Sequence, residues 1–247
     1  MREFFLELYG NLPRQAPGDE RITKKALSFL GFTKPEINVL DVGCGSGFQS
    51  IVCAEHFPNS KIQAVDLHEK MISELKENIS KHNLQERIFP HKASMDNLSF
   101  AFDQFDLILS EGSIYNMGLH KGLEYLGKFL RKGGYFSFSE LTWLKEERPE
   151  SISKYWKKHY PEMGSIRGNL SIIESLNYKL VGLFVFPEYS WFNLYYTPLE
   201  EKINHLRKGL RPEGEDLKIL EETEKEISMF KLYSNTYSYV YYILQKP

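Results

Sequence analysis

Val39-Leu40-Asp41-Val42-Gly43-Cys44-Gly45-Ser46-Gly47 ends an apolar run and opens an amphipathic one. It reads as the first strand of a parallel sheet turning directly into a helix. Three glycines at alternate positions give the turn backbone angles, or a closeness of approach, that a Cβ would forbid. A ligand is then able to lie against bare backbone at a helix N-terminus, where unpaired N–H groups face outward. Asp41 stands at the end of the strand, on the edge where open α/β sheets hold their ligands.

The spacing separates the ligands. A dinucleotide fingerprint runs G-x-G-x-x-G, whereas this turn runs D-x-G-x-G-x-G with the acid in front. Downstream, Lys61-Ile62-Gln63-Ala64-Val65-Asp66 reads as the next strand, and Asp66 falls 19 residues after Gly47. That is the interval of a carboxylate that accepts from ribose hydroxyls. The glycines alone would serve a plain tight turn, and Asp66 alone would serve as a helix cap. Their conjunction favours a nucleoside-bearing ligand.

The chain has 247 residues, enough for one substantial core and one domain with elaborations. Net charge is −2, so no overall positive field favours nucleic acid or an anionic membrane. The lysine-rich stretch Lys154 to Lys158 reads as a solvated helix face. Met1-Arg2-Glu3-Phe4-Phe5 lacks the long apolar core of a signal peptide, and no apolar run approaches a membrane span. With two cysteines, Cys44 and Cys53, neither a disulfide framework nor a four-thiolate zinc site is expected, and no metal. The expected compartment is the cytoplasm.

From residue 37 strand and helix alternate. Strands are expected at Ile37 to Val42, Lys61 to Asp66, Arg87 to His91, Gln104 to Ser110 and Tyr135 to Leu141. A helix carrying Leu119, Leu123, Leu126 and Leu130 is expected to stop at Lys132-Gly133-Gly134. Tyr178 to Pro187 reads as a sixth strand and Thr236 to Leu244 as a Tyr-rich seventh. Between them Thr197-Pro198-Leu199-Glu200 has the form of a capping box with proline at the first helical position, so a helix is expected to begin there. Ahead of the sheet, residues 1–34 hold two short helices, the second capped by Asp19. The loop Leu12 to Gly18 between them is expected either to fold over the site as a lid or to be a plain surface connection. The fold expected is α/β: a doubly wound, mostly parallel seven-stranded sheet with an antiparallel last strand. It has an N-terminal helical cap over residues 1–34, a main domain over 35–247, and a helical insertion at about 190–232, far longer than a hairpin loop of about 2–5 residues.

The glycine turn with both acids, Lys92 to Leu98, Phe105 to Gly112 and Leu130 to Gly134 together resemble the ordered motifs of Rossmann-like (class I) S-adenosylmethionine-dependent methyltransferases. The run Ser110-Glu111-Gly112-Ser113-Ile114-Tyr115-Asn116 further resembles a group of small bacterial methyltransferases. The resemblance implies S-adenosylmethionine as cofactor and S-adenosylhomocysteine as product. It implies cofactor contacts at Asp41, Gly43, Gly45, Gly47, Asp66, Leu67, Ser94, Met95 and Ser110.

Methyl transfer is an in-line displacement, and an acceptor that still carries its proton needs a base. The strand ends supply candidates: Glu111 as base or anchor of a cationic substrate, with Tyr115 beside it, and Asn116, Glu140, Trp143 and Trp191 as substrate contacts. Tyr195 and Tyr196 extend an aromatic set that suits a flat ring or a cation, although aromatic stripes are commonly core. His91 and His120 are read as structural, and the cysteines as small buried hydrophobes. The function expected is methyl transfer to a small-molecule acceptor at N, O or C. Other readings are a non-catalytic S-adenosylmethionine-binding or regulatory protein, and a nucleic-acid methyltransferase, which the absence of an Asn/Asp-Pro-Pro-Tyr/Phe run disfavours. The long insertion is expected to cover the site or to build a homodimer contact.

Overall fold

In the computed structural model, strand β1 (Asn38–Val42) is buried from Val39 onward, flanked on one side by β2 (Lys61–Asp66) and on the other by β4 (Phe105–Glu111). Burial on both faces explains why β1 and β4 read as continuous apolar runs instead of alternating ones. The structure describes residues 3–209 and 212–247. Met1 and Arg2, where the reading against a signal peptide begins, and Leu210 and Arg211 of the expected insertion lie outside them.

Among the described residues seven strands form one sheet in the order β3-β2-β1-β4-β5-β7-β6, with β3 at Ile88–Lys92, β5 at Leu130–Trp143, β6 at Lys179–Val185 and β7 at Tyr237–Gln245. β1 to β5 pair in parallel, and β7 runs antiparallel between β5 and β6. The chain winds outward from β1 to β3 and then resumes on the other side at β4. That reversal puts the ligand crevice at the C-terminal ends of β1 and β4.

Helices α3 (Phe48–His56) and α4 (Glu69–Lys81), joined by α1 (Glu3–Tyr9) and α2 (Glu20–Leu27), pack into one apolar layer. Helices α5 (Leu119–Leu126) and α7 (Ile166–Ser175) pack into the layer on the other side. Asp19 caps α2 as expected, its Oδ1 accepting from the Ile22 N–H at 3.0 Å. The cap orients the helix that carries Thr23, whose hydroxyl donates to Glu111.

Two expected boundaries move. The helix on Leu119 and Leu123 ends at Leu126, and Leu130 belongs to β5, opposite Phe105. The next pair in register is Leu107 with Tyr135, so Arg131 to Gly134 form an irregularity inside the strand and not a turn before it. A leucine four residues beyond Leu126 satisfies the helical period and a buried strand start equally well, and the pairing with β4 decides.

The second concerns Thr197-Pro198. Helical backbone already runs through α8 (Tyr189–Trp191) and a π-helical turn (Phe192–Tyr196) before α9 (Thr197–Gly209), and Thr197 itself has φ −62° and ψ −52°. Proline explains the wide turn without starting the helix. Pro198 has no N–H for the Leu194 carbonyl, and its ring crowds that carbonyl, so the backbone widens locally. Helix α10 (Gly214–Tyr233) follows, so that most of the described chain between β6 and β7 is helical. Helix α6 (Glu150–His159) completes the set. No helix among the described residues is long and apolar enough to cross a membrane.

Candidate active site

The glycine turn is held from below and behind. Gly43 and Cys44 both donate to the Val65 carbonyl at 2.9 Å, which fastens the turn to β2. Gly43 has φ +69°, and a Cβ there would meet the Ser113 Cβ at 2.4 Å. At Gly47, φ is +90° and a Cβ would strike Leu75 Cδ1 at 2.2 Å. Neither position admits a side chain. Asp41 lies fully buried beneath the turn, accepting from Gln49 Nε2 at 3.1 Å and from the Ser50 hydroxyl, both on α3. Burial pushes its carboxyl up to about 7. It ties β1 to α3 and is not on the cavity wall.

Asp66 reaches the cavity. Its Oδ2 accepts from the Gly45 N–H and its Oδ1 from the His68 N–H, each at 2.9 Å. One acid therefore braces the glycine turn and caps the next segment, and each oxygen keeps acceptor capacity. The cavity above measures about 1060 Å³. Of the expected cofactor residues, Gly43, Gly45, Asp66, Leu67, Ser94 and Met95 line it. Asp41, Gly47 and Ser110 stand behind the wall: Ser110 donates to Ser113 Oγ at 2.7 Å, and Ser113 donates to the Val42 carbonyl at 2.7 Å.

Glu111 lies on the wall but is taken up by protein partners. Its Oε1 accepts from the hydroxyls of Thr23 at 2.9 Å and Tyr241 at 3.0 Å, and its Oε2 from Arg14 Nη2 at 2.9 Å. Both members of this ion pair are almost fully buried. The carboxylate thus pins the N-terminal segment to the ends of β4 and β7. The loop continues over the glycine turn, where Gln15 Oε1 accepts from the Ser46 N–H at 3.3 Å and the Ser46 hydroxyl at 3.2 Å. The Arg14 guanidinium lies 4.6 Å from the centre of the Phe48 ring, and its Nη1 is buried with no partner.

Tyr115 and Asn116, on the 3-10 turn Ile114–Asn116, line the cavity, with the Asn116 amide donating to the Ser113 carbonyl at 2.9 Å. Glu140, Trp143 and Trp191 are placed elsewhere. Glu140 is buried off the cavity, its carboxyl pushed up to about 8 by burial. Trp143 lies under the Arg148 guanidinium at 4.2 Å. Trp191 stacks on Phe230 with ring centres 4.0 Å apart and donates to Ser238 Oγ at 3.0 Å, as a core tryptophan does. Of the other aromatics Tyr195 lines the cavity, while Tyr196 stands behind it. His91 bonds Gln63 away from the cavity, and both cysteines are buried with their thiols pushed up by burial. Among the described residues no group of His, Cys, Asp and Glu is arranged to hold a metal.

Sequence reasoning did not single out Tyr9, Arg14, Gln15, Ser113 or Glu226, all of which line the cavity. One signal was present for Glu226. It falls three residues after Thr223 and four before Phe230, which puts an acid on the inward stripe of α10 beside Leu220 and Ile227.

A family model described as a methyltransferase domain matches residues 33–201. The chain belongs to that family. The methyltransferase domain is 30% identical over 125 residues to a demethylmenaquinone methyltransferase of Bacteroides fragilis, covering 50% of this chain and 51% of that protein. It is 33% identical over 119 residues to malonyl-[acyl-carrier protein] O-methyltransferase 2 of Ilyobacter polytropus, covering 45% and 42%. The chain thus spans about half the length of the curated relatives it matches. Among solved structures, the S-adenosylmethionine-dependent methyltransferase from Geobacter sulfurreducens, in complex with S-adenosyl-L-homocysteine, superposes with a TM-score of 0.86 at 15% identity, over 100% of this chain and 99% of that one. YjhP from E. coli gives 0.86 at 16% identity over 100% of both. The Rossmann-like methyltransferase fold is therefore the fold of the whole chain. The family match leaves residues 3–32 and 202–247 outside, and from those come Tyr9, Arg14, Gln15 and Glu226.

Proposed function

We propose that this methyltransferase domain uses S-adenosylmethionine to methylate a small-molecule acceptor inside the cavity over β1 and β4. The observation that carries the reading is the joint placement of Asp66 and the left-handed glycine turn on that cavity, at the point where the strand order reverses. The residues present fit the cofactor. Asp66 has acceptor capacity for two ribose hydroxyls, Leu67 and Met95 offer apolar surface for a flat base, and the unpartnered Arg14 Nη1 suits a carboxylate. When bound, S-adenosylmethionine supplies a methyl group on a positively charged sulfur. A volume of about 1060 Å³ lies at the top of the usual range for small-ligand pockets, about 300–1,000 Å³, so cofactor and acceptor fit together.

The chain's own contribution is orientation and exclusion of water. Asp66 and the turn fix one end of the site, and Arg14 with Gln15 forms a roof over it. In this reading the N-terminal segment is a cap over the site, fastened by the Glu111 pair. The tyrosines of the cavity wall hold the acceptor on line, where proximity alone accelerates transfer. A covered cavity and a net charge of −2 favour a small acceptor over nucleic acid, and a soluble substrate over a membrane surface.

Calorimetric titration of S-adenosylhomocysteine tests the reading. Wild type is expected to bind in the micromolar range, and Asp66→Ala to lose about tenfold or more, since hydrogen bonds to a charged group are worth about 1.5–3 kcal/mol each. Absence of binding by wild type would sink it. Methyl incorporation from labelled cofactor into a pool of small acceptors then separates an enzyme from a binding or regulatory protein.

A further inference from the structure

One part of the cavity wall gathers three tyrosines around a carboxylate. Tyr9 of α1, Tyr115 of the 3-10 turn and Tyr195 of the π turn line the cavity, together with Glu226 of α10. Glu226 is half-buried and its Oε1 accepts from the Tyr196 hydroxyl at 2.9 Å. That neutral phenol is its one hydrogen-bond partner among the described residues, and no lysine, arginine or histidine pairs with it there. The contrast with Glu111 on the same wall is direct, because Glu111 has Arg14.

A carboxylate withdrawn from water without a countercharge is costly, and such groups either take up a proton or meet a cation. Burial raises the Glu226 carboxyl accordingly. Burial, and behind it the Glu226 charge, also pushes up the hydroxyls of Tyr9, Tyr115 and Tyr195, so these rings stay neutral. Tyr9 is held in place: its hydroxyl donates to Thr223 Oγ1 at 3.3 Å, whose own proton goes to the Ile219 carbonyl at 2.7 Å. Neutral phenol rings around an acid form the environment that attracts a positive charge, through ring faces and carboxylate together.

We propose that Glu226, with Tyr9, Tyr115 and Tyr195, is a cation subsite, and that the methyl acceptor carries an ammonium group seated on it. The proposal rests on the methyltransferase reading and names the acceptor class. Two of the four, Tyr9 and Glu226, lie outside the family match, so the added helices contribute to substrate choice.

The test uses the whole chain saturated with S-adenosylhomocysteine. Benzylammonium and choline are titrated beside their neutral isosteres, benzyl alcohol and 3,3-dimethylbutan-1-ol, into wild type and Glu226→Gln. The glutamine keeps an acceptor for Tyr196, and retained S-adenosylhomocysteine binding certifies its fold. At least one ammonium is expected to bind wild type about tenfold tighter than its isostere, with that preference abolished in Glu226→Gln. Failure of both ammonium probes to outbind their isosteres would overturn the proposal, as would a preference that survives in the variant. Either result, with S-adenosylhomocysteine still bound, leaves the methyltransferase reading standing. Loss of S-adenosylhomocysteine binding by wild type would remove both.

Discussion

The floor and the roof of the cavity are built by different physics. The floor, from Gly43 to Asp66, is braced by backbone: N–H groups of Gly43 and Cys44 on the Val65 carbonyl, and that of Gly45 on Asp66. Its parts lie within some 25 residues of one another and inside the family match. The roof is braced by side chains from remote parts of the chain: Arg14 on Glu111, Tyr241 on the same carboxylate, Tyr196 on Glu226. Backbone bracing tolerates most changes of side chain, whereas bracing by side chains does not. The difference teaches where specificity is free to change.

The largest expected effect breaks the roof. Arg14→Ala leaves Glu111 as an unpaired buried charge, and such a loss costs about 3–5 kcal/mol of stability. Urea denaturation checks it, and an unchanged midpoint would mean that roof and floor are independent. Gly43→Ala attacks the floor instead. The clash with Ser113 and the left-handed backbone are expected to remove about 1–3 kcal/mol and to weaken S-adenosylhomocysteine binding in calorimetry, where the roof change weakens it through Arg14 alone.

A third change sharpens the comparison through pH. Burial raises Asp41 from 3.8 to about 7, so the folded state holds a proton that the unfolded chain has released between those values. Stability from this group is complete below the lower value and is lost as pH rises through the upper one. Asp41→Asn is expected to abolish that slope, gaining on wild type from pH 4 to pH 7 in denaturation midpoints. A parallel pair of pH profiles would show that the floor acid is ionised and paired after all.

Legibility followed the same division. The glycine spacing, Asp66 and the strand rhythm are readable because turn chemistry and period are properties of neighbouring residues. Leu130 and Pro198 mislead for the complementary reason: a leucine fits helix and strand alike, and a proline widens a helix as readily as it opens one. Trp191, Glu140 and Trp143 stand near strand ends in sequence, yet only packing determines whether such a side chain faces a cavity or a core. Glu226 shows the limit best. An acid on an apolar stripe is visible in the sequence, but not the phenols that converge on it from three other elements.

By itself the sequence determined the sheet, the glycine turn and the acid beside it, since each is specified by contacts a few residues apart. Only the tertiary structure decided that Glu111 binds Arg14, that Tyr9 of the first helix lines the cavity, and that Glu226 has no cationic partner among the described residues. Those facts depend on which distant segments meet, and the free energy of that meeting comes from long-range packing that no local pattern encodes.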